Sequence, residues 1–173
     1  MRCPAAAASV LAVALAAAAG CQQQSGARVA LSPTKTVGPY SGGILAGRTL
    51  YASGQIGVDA ATGELVRGGT AAETAMAMKN VATLLRAANL DFRDIVSVTV
   101  HLADIADYDA MNKIYAQFFS DPLPARTTVA VKDLPRGAKV EITVIAVEGG
   151  VAAQQKSRVD REKRDDLGPS FTD

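Results

Sequence analysis

The sequence predicts a two-layer α+β domain, a sheet with two helices on one of its faces, and three observations predict it. Runs of β-branched residues alternate with period two, most clearly in Pro124–Val131 and Val140–Val147. Two longer stretches, 70–88 and 108–119, repeat their apolar residues at helical spacing instead. The order is strand, strand, helix, strand, helix, strand, strand, and helices so spaced cover one sheet face.

At 173 residues, 49% hydrophobic and 20% charged, the chain reads as one globular domain with appendages. Residues 1–20 read as an export signal: Arg2, then the Ala/Val/Leu run Ala5–Ala19, too short and too rich in small residues to span a bilayer. Ala18-Ala19-Gly20-Cys21 resembles a bacterial lipobox. That resemblance implies lipidation of Cys21 and a protein held on the periplasmic side of the cell envelope, touching the membrane only through its anchor. Residues 21–35 are polar and small and read as a tether, and 36–150 as the domain. Residues 151–173 turn charged and poor in aliphatics, the composition of a disordered tail.

Within the domain, Val37–Gly43 is a turn-rich loop that starts the fold. Ile44–Ala46 and Thr49–Ala52 then form a hairpin about Gly47-Arg48. Gly54, in Ser53-Gly54-Gln55, marks a bulge or a close backbone approach, and Asp59–Gly69 is a second turn region. Thr70 and Glu73 have the spacing of a capping box for a helix reaching about Ala88. Its stripe is Ala75, Met78, Val81, Ala82 and Leu85, with Glu73, Asn80 and Arg86 facing away and Asn89 as a left-handed terminator.

Ile95–Leu102 is the next strand. Asp107 caps a second helix from Tyr108 to about Phe119, with a stripe of Tyr108, Met111, Tyr115, Phe118 and Phe119, and Pro122 and Pro124 stop it. The last two strands follow, separated by the loop 132–139.

Charge and composition exclude several function classes. Removing Arg2 with the leader takes Lys plus Arg from 18 to 17, equal to the 17 Asp plus Glu, so no basic field draws nucleic acid or anionic lipid. The two cysteines, Cys3 and Cys21, both belong to the leader region and leave the domain without an internal disulfide. One histidine and no cysteine cluster argue against a structural zinc site. His101 lies in the alternating run Val96–Leu102 and reads as a residue on that strand's less apolar face.

The candidate chemistry comes from the last two strands. Val140, Ile142, Val144 and Ala146 share one face; Glu141, Thr143 and Ile145 share the other. In the preceding strand Thr127, Val129 and Val131 alternate with Arg126, Thr128 and Ala130. If the aliphatic faces pack on the helices, Arg126 and Glu141 project together from the far side, where a cation and a carboxylate form a site for a small anion. That far face also carries Ile145 and Val147, apolar enough to be buried against a copy of itself in a closed oligomer.

Five stretches in order resemble the RidA (YjgF-type) family of enamine/imine deaminases: Gly38-Pro39-Tyr40-Ser41, Ser53-Gly54-Gln55-Ile56, Asn112-x-x-Tyr115-x-x-Phe118-Phe119, Pro124-Ala125-Arg126 and Val140-Glu141-Ile142. The resemblance spans about Val37–Val147. It implies a chorismate-mutase-like α+β subunit with a mixed sheet and two helices on one face. It also implies a homotrimer with sites at subunit boundaries, and hydrolysis of 2-aminoacrylate-type enamines and imines to 2-oxo acids and ammonia without metal or organic cofactor. It assigns Arg126 to the substrate carboxylate and Glu141 to water activation, with Tyr40, Ser53, Gly54 and Asn112 lining the pocket. Tyr40 is a candidate proton donor to nitrogen, and Thr128 joins the binding set.

Three departures from the family pattern stand out. Gly42 and Gly43 occupy positions where many members carry Gln, Thr128 stands where a Cys is common, and the segment from Phe119 to Pro124 is short. The resemblance leaves open whether Arg126 and Glu141 of one site belong to one chain or two. Two other functions compete with catalysis: binding of small carboxylates such as 2-oxo acids without turnover, and a purely structural trimer.

Overall fold

Seven strands and two α-helices make up the computed structural model, which describes residues 28–36 and 38–149. The residues read as an export signal, Cys21 and the residues read as a charged tail lie outside the described residues. In chain order the elements are β1 (Arg28–Leu31), β2 (Gly43–Ala46), β3 (Thr49–Ala52), β4 (Gln55–Ile56), α1 (Gly69–Ala87), β5 (Ile95–Leu102), α2 (Tyr108–Tyr115), β6 (Ala125–Ala130) and β7 (Val140–Val147). The sheet order is β1-β2-β3-β7-β5-β6, and β4 also pairs with β7. Only β5 and β6 run parallel, joined by the crossover through α2. This is the α+β domain the patterning predicts, with a mixed sheet and both helices packed on one face.

The strict alternation of β7 makes it the central strand: Val140, Ile142, Val144 and Ala146 are buried and the residues between them are not. They pack with Val98, Val100 and Leu102 of β5, Met78, Val81, Leu84 and Leu85 of α1, and Met111 of α2. Each such side chain removed from water contributes roughly 1.5–3 kcal/mol before entropy is counted. The opposite face is half apolar and not covered by either helix; Tyr51 and Val129 on it are 51% and 42% exposed.

One interruption in the sheet positions the chemistry. β3 and β4 lie along the same edge of β7, β3 opposite Ile145–Val147 and β4 opposite Glu141 and Ile142. The Ser53-Gly54 step between them breaks the ladder beside Glu141 and Thr143. A Cβ on Gly54 would overlap the Glu141 carboxylate, which is the close approach its sequence position predicts.

Several local expectations are corrected. Residues 28–31, read as tether, pair with β2 as an edge strand. The capping box does not form: Gly68 caps α1 with φ 118°, and Glu73 is buried, accepting the Lys139 amide at 2.7 Å. An otherwise unpaired amide at the entry to β7 outcompetes the helix's own first turn for that carboxylate. Asn80 does not face solvent; its amide donates to the carbonyls of Ile56 and Val58 at 3.1 and 2.9 Å. The buried stripe of α1 is Ala77, Met78, Val81, Leu84 and Leu85, rotated from the expected one so that Ala75 and Ala82 are half-buried.

Asn89 terminates α1 as expected, with φ 56°, and the Leu90 amide closes back on Leu85 at 2.9 Å. Asp107 makes no side-chain cap; Asp104 caps a preceding 3-10 turn by accepting from Ala106 at 2.9 Å. α2 ends at Tyr115 and continues to Phe118 as a 3-10 turn. These shifts leave the layers unchanged.

Candidate active site

The proposed cation and carboxylate lie on opposite faces of the sheet. Arg126 pairs in register with Val98, which pairs with Val144, so all three point toward the helices. Glu141 pairs with His101, which pairs with Val129, and these point away. Arg126 and Glu141 are also three residues apart along β5, roughly 10 Å. The expectation that both project from the non-helix side is therefore wrong for a single chain. Thr127 and Val129, apolar enough to suggest a core face, are exposed, and Arg126 and Thr128 take the helix side.

Arg126 is accommodated there because α2 begins and ends on aromatic rings, Tyr108 and Tyr115, that face it. Its Cζ lies 4.6 Å from the Tyr115 ring centroid and 5.8 Å from that of Tyr108, and Nη2 donates to the Tyr108 hydroxyl at 3.2 Å. Hydrogen bonds from Asn112 and then Arg126 hold the Tyr108 phenol below its ordinary range. Burial pushes the Tyr115 phenol up to about 12, an effect the nearby guanidinium only partly offsets. Arg126, Asn112, Tyr115, Phe119 and Leu123 line a cavity of about 410 Å³. Thr128 adds a buried hydroxyl oxygen with no hydrogen-bond partner, on the same sheet face.

A second cavity, about 450 Å³, gathers Tyr40, Ser53, Gly54, Arg136, Glu141 and Thr143. Ser53 builds its wall: its hydroxyl donates to the Ser41 carbonyl at 2.7 Å and its amide to Gly42 at 2.9 Å, clasping the Gly-Pro-Tyr-Ser loop against the break in the sheet. Tyr40 stands half-exposed at the rim. Arg136 joins the rim from the 132–139 loop, in the left-handed conformation with φ 62°, and donates to the Gly63 carbonyl at 2.7 Å. Behind Glu141, His101 Nδ1 lies 3.8 Å from Oε1.

The candidate residues thus divide into two groups, Glu141 with Tyr40, Ser53 and Gly54, and Arg126 with Asn112 and Thr128. Sequence reasoning missed Tyr108, Arg136 and His101. The helical spacing of Tyr108 to Asn112 was available as a signal; the strand register that sets His101 against Glu141 was not. Among the described residues no cluster of His, Cys, Asp or Glu is arranged to hold a metal ion.

Residues 30–148 match the family profile described as endoribonuclease L-PSP. The human protein named 2-iminobutanoate/2-iminopropanoate deaminase is 47% identical over 113 residues, covering 65% of this chain and 82% of that protein. YyfA of Yersinia pestis, described as a member of the conserved Rid family, superposes with a TM-score of 0.67 at 38% identity, over 70% of this chain and 99% of its own. The E. coli protein TdcF, solved with bound serine, gives a TM-score of 0.65 at 33% identity, over 69% and 97%.

Proposed function

This chain belongs to the endoribonuclease L-PSP family, the RidA (YjgF-type) family, and from that premise we propose that it hydrolyses small enamines and imines of the 2-aminoacrylate/2-iminopropanoate type to 2-oxo acids and ammonia. One observation carries the reading. A guanidinium cavity and a carboxylate cavity sit on one sheet of a chain 47% identical, over its domain, to a named imine deaminase.

The chemistry follows from the residues. Arg126 offers forked donors to a planar carboxylate, and hydrogen bonds to charged groups contribute roughly 1.5–3 kcal/mol each. The substrate's C=N carbon, held beside Glu141, is electrophilic without a covalent nucleophile. Glu141 takes a proton from water as its oxygen bonds to that carbon, and the C=N electrons move to nitrogen. Glu141 returns that proton to nitrogen, giving a carbinolamine; it then carries the hydroxyl proton to the same nitrogen as the oxygen closes to C=O, the C–N bond breaks and ammonia leaves. Tyr40, at the cavity rim, supplies a hydroxyl near the departing nitrogen.

In this reading one chain cannot complete the site, because its Arg126 and Glu141 face opposite ways. A second copy brings its Arg126 cavity to the first copy's Glu141 cavity, and a closed trimer repeats that junction three times. The half-apolar open face of the sheet is the surface such an assembly covers. A lipid on Cys21 would hold the trimer at the envelope.

Purified protein is expected to accelerate ammonia release from freshly generated 2-iminopropanoate above the spontaneous rate. An unchanged rate for every small imino acid tried would defeat the catalytic reading. The bound serine of E. coli TdcF favours a second reading, carboxylate binding without turnover. Saturable calorimetric binding of a 2-oxo acid with no rate effect supports that one instead.

A further inference from the structure

The single histidine of the chain faces the carboxylate to which the mechanism gives the proton work. His101 and Glu141 are direct cross-strand partners in the antiparallel β5–β7 ladder, a relation that places their side chains side by side on one face. Nδ1 and Oε1 are 3.8 Å apart, and the two side chains are 31% and 22% exposed, partly withdrawn from water. On its other flank the Glu141 carboxylate abuts the Gly54 backbone. The carboxylate therefore lies between a closely approaching backbone and an imidazole that can donate.

We propose that His101 is the positioning residue of Glu141: its neutral ring donates the Nδ1 proton to Oε1 and fixes the carboxylate toward the cavity. The 3.8 Å separation closes to hydrogen-bond length by a small side-chain rotation, as catalytic contacts do when a site fills. The tautomer follows from the partner, since the acceptor at one ring nitrogen decides which nitrogen carries the proton.

Arg136 lines the same cavity as Glu141 but donates to the Gly63 carbonyl, and the neighbours on the adjacent strands do not compete for the ring. β6 presents Val129 directly opposite and Thr127 beside it, β7 adds Thr143, and β5 itself adds Thr99, none of them charged. The helices pack on the far face. Among the described residues Glu141 is the one ion-pair partner of His101.

This inference rests on the deaminase reading for its effect on rate, so the test has an arm that does not. Nitrogen-15 spectra of the full chain at about pH 8 report a single histidine. The expected ring carries its proton on Nδ1, and Glu141→Ala moves it to Nε2. A ring protonated on Nε2 in the unmodified protein, or a ring unchanged by Glu141→Ala, overturns the proposal whether or not turnover occurs.

In the kinetic arm, His101→Gln keeps a donor beside Oε1. It is expected to retain most of the native kcat, the rescue a positioning donor allows. His101→Leu is expected to lower kcat about tenfold with KM little changed, because Arg126 still grips the substrate. A native kcat in His101→Leu, a His101→Gln protein no better than His101→Leu, or a loss confined to KM overturns the positioning role. Absent turnover in the unmodified protein defeats the deaminase reading alone.

Discussion

Glu141→Gln is expected to slow imine hydrolysis by roughly two to four orders of magnitude, the usual range for removing a general base, while leaving carboxylate binding intact. Glutamine keeps the shape beside Gly54 and the contact with β4, so the strand and its core neighbours Ile142 and Val140 are undisturbed. It cannot accept the proton that water must lose. The signature is a fall in kcat with little change in KM or in the calorimetric affinity for a 2-oxo acid. If the variant turns over at the native rate, the carboxylate is not the base and the mechanism is wrong at its first step.

Arg126→Ala is expected to fail differently. Two charge-assisted hydrogen bonds to a substrate carboxylate are together worth about 3–6 kcal/mol, a loss of roughly two to four powers of ten in kcat/KM. Binding of 2-oxo acids should disappear along with turnover. Stability should change little, because the guanidinium's stacking on Tyr115 and Tyr108 contributes only about 1 kcal/mol at a partly exposed site. Arg126→Lys restores the charge without the fork and should recover only part of the loss. Native affinity for a 2-oxo acid in Arg126→Ala would remove the anion site from the account.

Much of the fold was legible because the strongest patterns belong to the most buried elements. The alternation is strict in Val140–Val147, and in Ile95–Leu102 from Val98 onward past a bulge near Ser97, because both strands lie mid-sheet with one face on the helices. The turn at Gly47-Arg48 and the left-handed Asn89 were legible for local backbone reasons. The strand over Arg28–Leu31 was not, since four residues on a sheet edge carry no alternation that stands out from a polar linker.

The site was half legible. The residues that carry it stand in short motifs, but their faces depend on strand register, which connects positions far apart in the chain. β6 shows the difficulty. Its more aliphatic residues, Thr127 and Val129, look like a core face, yet an edge strand takes its orientation from its neighbour β5. Tyr108 and Tyr115, at the two ends of α2, make room for Arg126 on the other side. The His101–Glu141 pairing has the same origin: a cross-strand contact between residues 101 and 141 leaves no local trace in either segment.

A site shared between copies has a direct measurement. Arg126→Ala and Glu141→Gln proteins, each inactive, are unfolded, mixed in equal amounts and refolded together. If each site takes Arg126 from one copy and Glu141 from its neighbour, random assembly leaves both residues native in about a quarter of the sites, and about a quarter of the native specific activity returns. Activity no higher than that of the two variants refolded separately would contradict a site assembled between chains.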